Sequence, residues 1–226
     1  MPYLNRDQIL SLIKKNNIIS KKTLINHQIQ PASFDLTLSE KCYRIKASFI
    51  PNNIKISKVI KELSLTTINL NQNVLLEKNC IYLCELNEQL NLPDNIMGKS
   101  NPKSTTGRLD IFTRIITEKG REYDYVNYNY KGKLYLEIIP QSFSIILKKN
   151  TSLNQIRFYK GSNIEKKIKK INISVSIKKN QITAYKAKKI TSAIDVNKIA
   201  FYKSDKYWEK IIPKDNYFII ERDEFY

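Results

Sequence analysis

A chain of 226 residues has room for one sizeable core, or for one complete domain and part of another, and is too long to need staples. Its 39 Lys+Arg against 21 Asp+Glu leave a formal net charge of +18. That charge suits phosphate-bearing partners, but much of it is Lys scattered among Asn and Ile, so it permits such partners without identifying one. No apolar run nears the roughly 20 residues of a bilayer-spanning helix. No signal-peptide pattern opens the chain, and Cys42, Cys80 and Cys84 leave one thiol over in any disulfide scheme; the expectation is a cytoplasmic protein with no membrane partner.

In chain order, Asp7 to Lys15 spaces Ile9, Leu10, Leu12 and Ile13 at helical intervals, and Asn5 or Asp7 can cap the start, which predicts one short amphipathic helix. Strands follow. Short apolar runs rich in Ile, Tyr and Phe occur at VLLE (74–77), CIYLCEL (80–86), LDIFTRII (109–116), KLYLEII (133–139), SFSIIL (142–147) and SLNQIRFY (152–159). NLPDN, KSNP, EKGRE and YKGK punctuate them at roughly ten-residue spacing, as in a β-sandwich, jelly roll or distorted barrel. Long helices are not expected.

From Lys160 to Lys189 the chain holds ten lysines and one acidic residue, Glu165, and reads as a solvated connector with an edge strand at INISVSI (171–177). Beyond it, SAIDVNKI (192–199) echoes SFDLTL (33–38), and IERDEFY (220–226) echoes LEKNCIY (76–82), in the same order. The expected organisation is a β domain over 1–160, a connector over 161–189 and the start of a second copy over 190–226.

Two features carry chemistry. Lys103, Ser104, Thr105 and Thr106, followed by Gly107 and Arg108, form a turn able to offer N–H groups, hydroxyls and cations to an anion, although an ordinary Ser/Thr-rich β-turn reads the same way. It is not a Walker loop, because the GxxxxGK[ST] spacing is missing and a strand follows. Glu137, in the middle of KLYLEII, shares a strand face with Tyr135 and Ile139. It is either an edge-strand solubility device or a carboxylate placed in a pocket for proton transfer.

Taken together, QPASFDLTL, NPKSTTGRLDIFTRII, YKGKLYLEI and SLNQIRF resemble the dCTP deaminase branch of the dUTPase-like superfamily, and more closely its long, tandem-domain bacterial form. The resemblance runs over most of residues 28–160. It implies a mainly β, dUTPase-like distorted jelly-roll or barrel with a short N-terminal helix, followed by the start of a second similar unit. The reaction implied is zinc-independent hydrolysis of dCTP to dUTP and ammonia. Carried over by position, Glu137 is the general base and acid, and Ser104 and Arg108 orient the water and the cytosine. The Thr117 carbonyl helps hold that water, Lys103 and Thr105 contact the triphosphate, and Asp124 and Tyr130 meet the sugar. Gln155 lies near the nucleotide.

The residues independently argue against zinc deaminase chemistry, which needs H-x-E and P-C-x-x-C: His27 is the sole histidine, and Cys80 and Cys84 are spaced CxxxC within an apolar strand. No tightly bound cofactor is expected, and Mg²⁺ would come with the triphosphate. The family's closing C-terminal segment has no counterpart after Phe158. The resemblance implies dCTP as substrate and a trimer-like homo-oligomer, or a complementing chain that carries the rest of the second repeat. Two other readings remain: dUTP diphosphatase, alone or with deamination, and a non-catalytic basic protein that binds nucleotides or nucleic acid through its many tyrosines.

Overall fold

Reciprocal side-chain bonds set the first element. The Gln8 N–H donates to Asn5 Oδ1 (3.0 Å) and the Asn5 N–H to Gln8 Oε1 (2.9 Å), a capping box that opens helix α1 (Arg6–Lys14) and buries Ile9 and Leu12 beneath it. The computed structural model describes residues 3–24, 26–161, 171–172 and 174–226. Strands dominate, as the short β-branched and aromatic runs predict: β1 (Ile18–Ser20), β2 (Phe34–Leu36), β3 (Leu38–Ile45), β4 (Ser64–Asn69), β5 (Val74–Leu76), β6 (Ile81–Asn91), β7 (Ile96–Pro102) and β8 (Ile111–Thr117). After these come β9 (Tyr125–Val126), β10 (Lys131–Pro140), β11 (Ile145–Leu147), β12 (Asn154–Lys160), β13 (Ala184–Ala187), β14 (Ile194–Asp195) and β15 (Trp208–Ile211).

One sheet runs β4-β3-β6-β10-β8, with β1 also paired to β6; a second runs β2-β12-β7-β9. The main core lies between them, with Phe34, Leu36, Ile156 and Phe158 from the second sheet meeting Leu86, Ile115, Leu136 and Ile138 from the first. Because side chains alternate along a strand, β10 also presents Tyr135 and Glu137 to the opposite face of its sheet. There a smaller core of Ile45, Leu83, Ile116 and Tyr135 is covered by Ile56.

Ile56 belongs to α2 (Ile56–Leu63), a helix the sequence reading did not expect, although Ile56, Val59, Ile60 and Leu63 fall at i, i+3, i+4 and i+7. The residues expected as a turn at 104–107 form a single helical turn, α3 (Ser104–Gly107).

Residues 162–170 and 173, with four of the ten lysines between 160 and 189, lie outside the described residues. INISVSI does not form the expected strand among the residues described there, and Ile171 and Val175 stand exposed. Without a facing layer, alternation alone cannot hold a strand. Further on, β14 pairs in parallel with β11, and β13 pairs with β15. Phe143 packs against Ile194 and Tyr207, with Trp208 and Phe225 alongside. Among the described residues no helix is long and apolar enough to cross a membrane.

Candidate active site

The expectation that Glu137 could be an edge-strand device fails on topology, because β10 lies between β6 and β8. Its side chain is 0% exposed. The register sets Arg114 of β8 directly opposite, and the guanidinium delivers Nε (2.9 Å) and Nη2 (2.5 Å) to the same oxygen, Oε1. Among the described residues, Oε2 is buried and has no hydrogen-bond partner. A buried charge needs a partner, and here the partner serves one oxygen only. The guanidinium carbon itself sits 3.7 Å from the centroid of the Tyr123 ring and 4.9 Å from that of Phe112, within cation–π range of both.

The loop bearing Tyr123 is anchored through Asp124. That residue adopts a left-handed conformation (φ 60°), which short polar side chains tolerate. Its N–H donates to the Ile115 carbonyl (2.9 Å), its Oδ1 accepts from the Ile115 N–H (2.9 Å) and its carbonyl accepts from the Ser100 N–H (2.9 Å). Asp124 therefore pins the free edge of β8 to β7. Burial pushes its carboxyl above the ordinary range, opposed by the Ile115 N–H, the Ser100 hydroxyl and the charges of Arg114 and Lys99.

Arg114 and Asp124 line a cleft of about 1050 Å³ together with Gly107, Thr113, Lys188, Lys189, Arg222 and Glu224. The C-terminal stretch thus brings cations over the cleft, although no sequence motif after Phe158 announced it.

The remaining expected residues separate into two places. Lys103 pairs with the buried Asp35, and Gln155 Oε1 accepts from Ser33 Oγ (2.9 Å), both on the β2-β12-β7 side. Ser104, Thr105 and Arg108 stand exposed on and just after α3. Their side chains make no hydrogen bond or ion pair among the described residues, so the fold does not bring them against Glu137. Thr106, next to them, is buried and donates to the Leu153 carbonyl (2.7 Å).

The Thr117 carbonyl accepts the Gly120 N–H (3.0 Å). It lies three positions along β8 from the residue facing Glu137, about 10 Å at strand rise, which separates it from the carboxylate within one chain. The Tyr130 hydroxyl accepts from the Glu118 N–H (3.0 Å) and donates to the Lys133 carbonyl (2.5 Å), so it ties its own hairpin together. Cys42 and Cys84 face one another across β3 and β6, buried and free. Among the described residues, no three His, Cys, Asp or Glu side chains gather as a metal site would require.

Sequence reasoning missed Arg114. Its position in IFTRII marks it as a charge among alternating apolar residues, but only the register between β8 and β10 shows that it meets Glu137.

The profile of the 2′-deoxycytidine 5′-triphosphate deaminase N-terminal domain matches residues 2–162, and that of the C-terminal domain of the same enzyme matches residues 144–226. The crystal structure of 2′-deoxycytidine 5′-triphosphate deaminase from Agrobacterium tumefaciens superposes with a TM-score of 0.91 at 33% identity, covering 98% of this chain and 74% of that one. A probable deoxyuridine 5′-triphosphate nucleotidohydrolase of Archaeoglobus fulgidus is 28% identical over 182 residues, 73% of this chain and 99% of the relative. A dUMP-forming dCTP deaminase of Methanococcus maripaludis is 26% identical over 165 residues, 64% and 77% of the two chains. The two profiles together cover residues 2–226, and the chain belongs to the 2′-deoxycytidine 5′-triphosphate deaminase family.

Proposed function

We propose that this chain hydrolyses the 4-amino group of dCTP, giving dUTP and ammonia, with Glu137 as the proton carrier. The observation that carries the reading is the asymmetric carboxylate: Oε1 is held by Arg114, while Oε2 is buried and has no partner among the described residues. In the proposed reaction Oε2 takes a proton from the water that adds to C4 of cytosine. The proton passes to N3, and a second transfer converts the amino group into departing ammonia, so that the C4–N bond breaks as the C4–O bond becomes a carbonyl. No proton is left over: dCTP and water give dUTP and ammonia.

The cationic side chains have a second role. Lys103 and Thr105 would bind the triphosphate, with Mg²⁺ arriving as part of the substrate, and Asp124 would accept a hydrogen bond from the sugar. Because Ser104 and Arg108 are exposed and unpaired among the described residues, we assign them to a site completed between copies in a homo-oligomer of trimeric type, or with a chain that carries further second-unit residues. In such an assembly the hydroxyl and guanidinium of one copy would meet the Glu137 of another.

A second reading, deamination followed by diphosphate hydrolysis to dUMP, draws support from the dUMP-forming Methanococcus relative and from Asp124, a carboxylate on the wall of the cleft. One set of assays separates the two. Ammonia release and loss of cytosine absorbance are expected with dCTP but not with CTP, and pyrophosphate appears only under the second reading. Glu137→Gln is expected to lower turnover on the order of 10³-fold. A folded, assembled protein that leaves dCTP unchanged contradicts the proposal.

A further inference from the structure

We infer that Arg114 is a positioning residue for Glu137, locked by Tyr123, and that it presents only the Oε2 oxygen to the reacting water; the inference rests on the proposed role of Glu137. An arginine that merely neutralises a buried carboxylate commonly spreads its fork over both oxygens. Here Nε and Nη2 converge on Oε1 at 2.9 and 2.5 Å, and Oε2 is left bare. The fork is free of competing partners: among the described residues, its only ion pair is with Glu137.

Two rings fix the plane of the fork. Tyr123 lies 3.7 Å and Phe112 4.9 Å from the guanidinium carbon, and a planar cation stacked in this way loses little further freedom when it binds a carboxylate. Tyr123 is itself held in place, because the next residue, Asp124, is bonded at its N–H and its side chain to Ile115, the residue after Arg114 on β8. Ring, fork and carboxylate thus form one chain of contacts starting and ending on paired strands. The Tyr123 hydroxyl makes no hydrogen bond among the described residues, so its ring face is what acts on the arginine. The Arg114 side chain is 22% exposed and lines the cleft, while Glu137 is fully buried.

The test compares kcat and KM for dCTP in the wild type, Arg114→Ala, Arg114→Lys, Tyr123→Phe and Tyr123→Leu, with circular dichroism to confirm folding. Misplacing the carboxylate is expected to lower kcat of Arg114→Ala on the order of 100-fold with little change in KM. Added guanidinium ion should restore part of that activity, and ammonium should not. Arg114→Lys, with a charge but no fork, should recover only a minor part. Tyr123→Phe should match the wild type, while Tyr123→Leu should lose kcat. If Arg114→Ala does not fold, the Arg114→Lys and Tyr123 pairs give the same reading.

Three results overturn the inference: wild-type kcat in the arginine variants, faster turnover without the arginine, or a loss confined to KM. An inert Glu137→Gln beside a fully active Arg114→Ala removes the positioning role and leaves the proposed function standing. A wild type inert toward dCTP removes both.

Discussion

Two fully buried carboxylates stand on adjacent strands of the same sheet, Glu88 on β6 and Glu137 on β10, and their surroundings differ. Glu88 Oε2 accepts from the Thr37 N–H (2.8 Å), and its Oε1 accepts from Thr37 Oγ1 (2.7 Å) and Gln28 Nε2 (2.9 Å). Both of its oxygens are occupied by neutral donors, and together they tie the 3₁₀ turn at Asn26–Gln28 and the β2–β3 junction to β6. Glu137 has a cation on one oxygen and, among the described residues, no hydrogen-bond partner on the other. Burial costs both groups solvation. Where donors meet both oxygens, the carboxylate acts as a structural clasp; where they meet one oxygen, the other is open to the proton transfer proposed for Glu137.

The comparison breaks most visibly in stability. Removing the Glu88 side chain leaves the Thr37 N–H, the Thr37 hydroxyl and one Gln28 N–H facing an empty buried site. At 1–3 kcal/mol for each unsatisfied group, less relaxation, Glu88→Ala should lose about 3 kcal/mol. That loss should lower Tm by about 10 °C in a chain of this size, as differential scanning fluorimetry would record. An unchanged Tm would show that Glu88 is not a clasp.

A third buried carboxylate sharpens the contrast. Asp35 is paired with Lys103, whose side chain is 30% exposed; this cation can leave for a better anion. If Lys103 binds the triphosphate as proposed, and so ground state and transition state alike, Lys103→Ala should raise KM for dCTP about tenfold while kcat holds. A fall in kcat with KM unchanged would place Lys103 in the chemical step instead.

The smallest effect is on pH dependence. Burial raises the Glu88 carboxyl above its ordinary value, opposed by the bonds from Thr37 and Gln28. The folded protein therefore holds that proton more tightly than the unfolded chain. The resulting stability is fully present below the unfolded pKa and is lost as pH rises through the folded one. The Tm of wild type minus that of Glu88→Gln should therefore be highest near about pH 4 and fall toward neutrality. A gap that stays flat over this range contradicts the assignment.

The sequence disclosed the parts of this account that depend on local pattern. Alternation in KLYLEII placed Leu136 and Ile138 in one core and Tyr135 and Glu137 on the other face, as the two clusters bear out. The run of β-rich segments was equally legible, and of the two candidate caps, Asn5 and Asp7, the structure uses Asn5. Pairing was not. Glu137 could still be read as an edge-strand residue until the sheet order enclosed β10, and Arg114 was one cation among many until the register set it opposite. The α2 helix was written plainly in its i, i+3, i+4, i+7 spacing, but eight residues between strands gave little weight to the period. INISVSI shows the converse error, because among its described residues Ile171 and Val175 stand exposed with no layer over them. Ser104, Thr105 and Arg108 form the most conspicuous motif in the chain, yet they stand apart from Glu137 because a helical turn carries them on the surface.

The account rests on the idle oxygen of Glu137 being the one that moves the proton. The direct measurement is the initial rate of ammonia release from saturating dCTP by wild type, Glu137→Gln and Glu88→Gln, compared at equal folded concentration. The account predicts that Glu88→Gln turns over at the wild-type rate and that Glu137→Gln falls to background. Turnover by Glu137→Gln at the wild-type rate, or an equal loss in both folded variants, would contradict it.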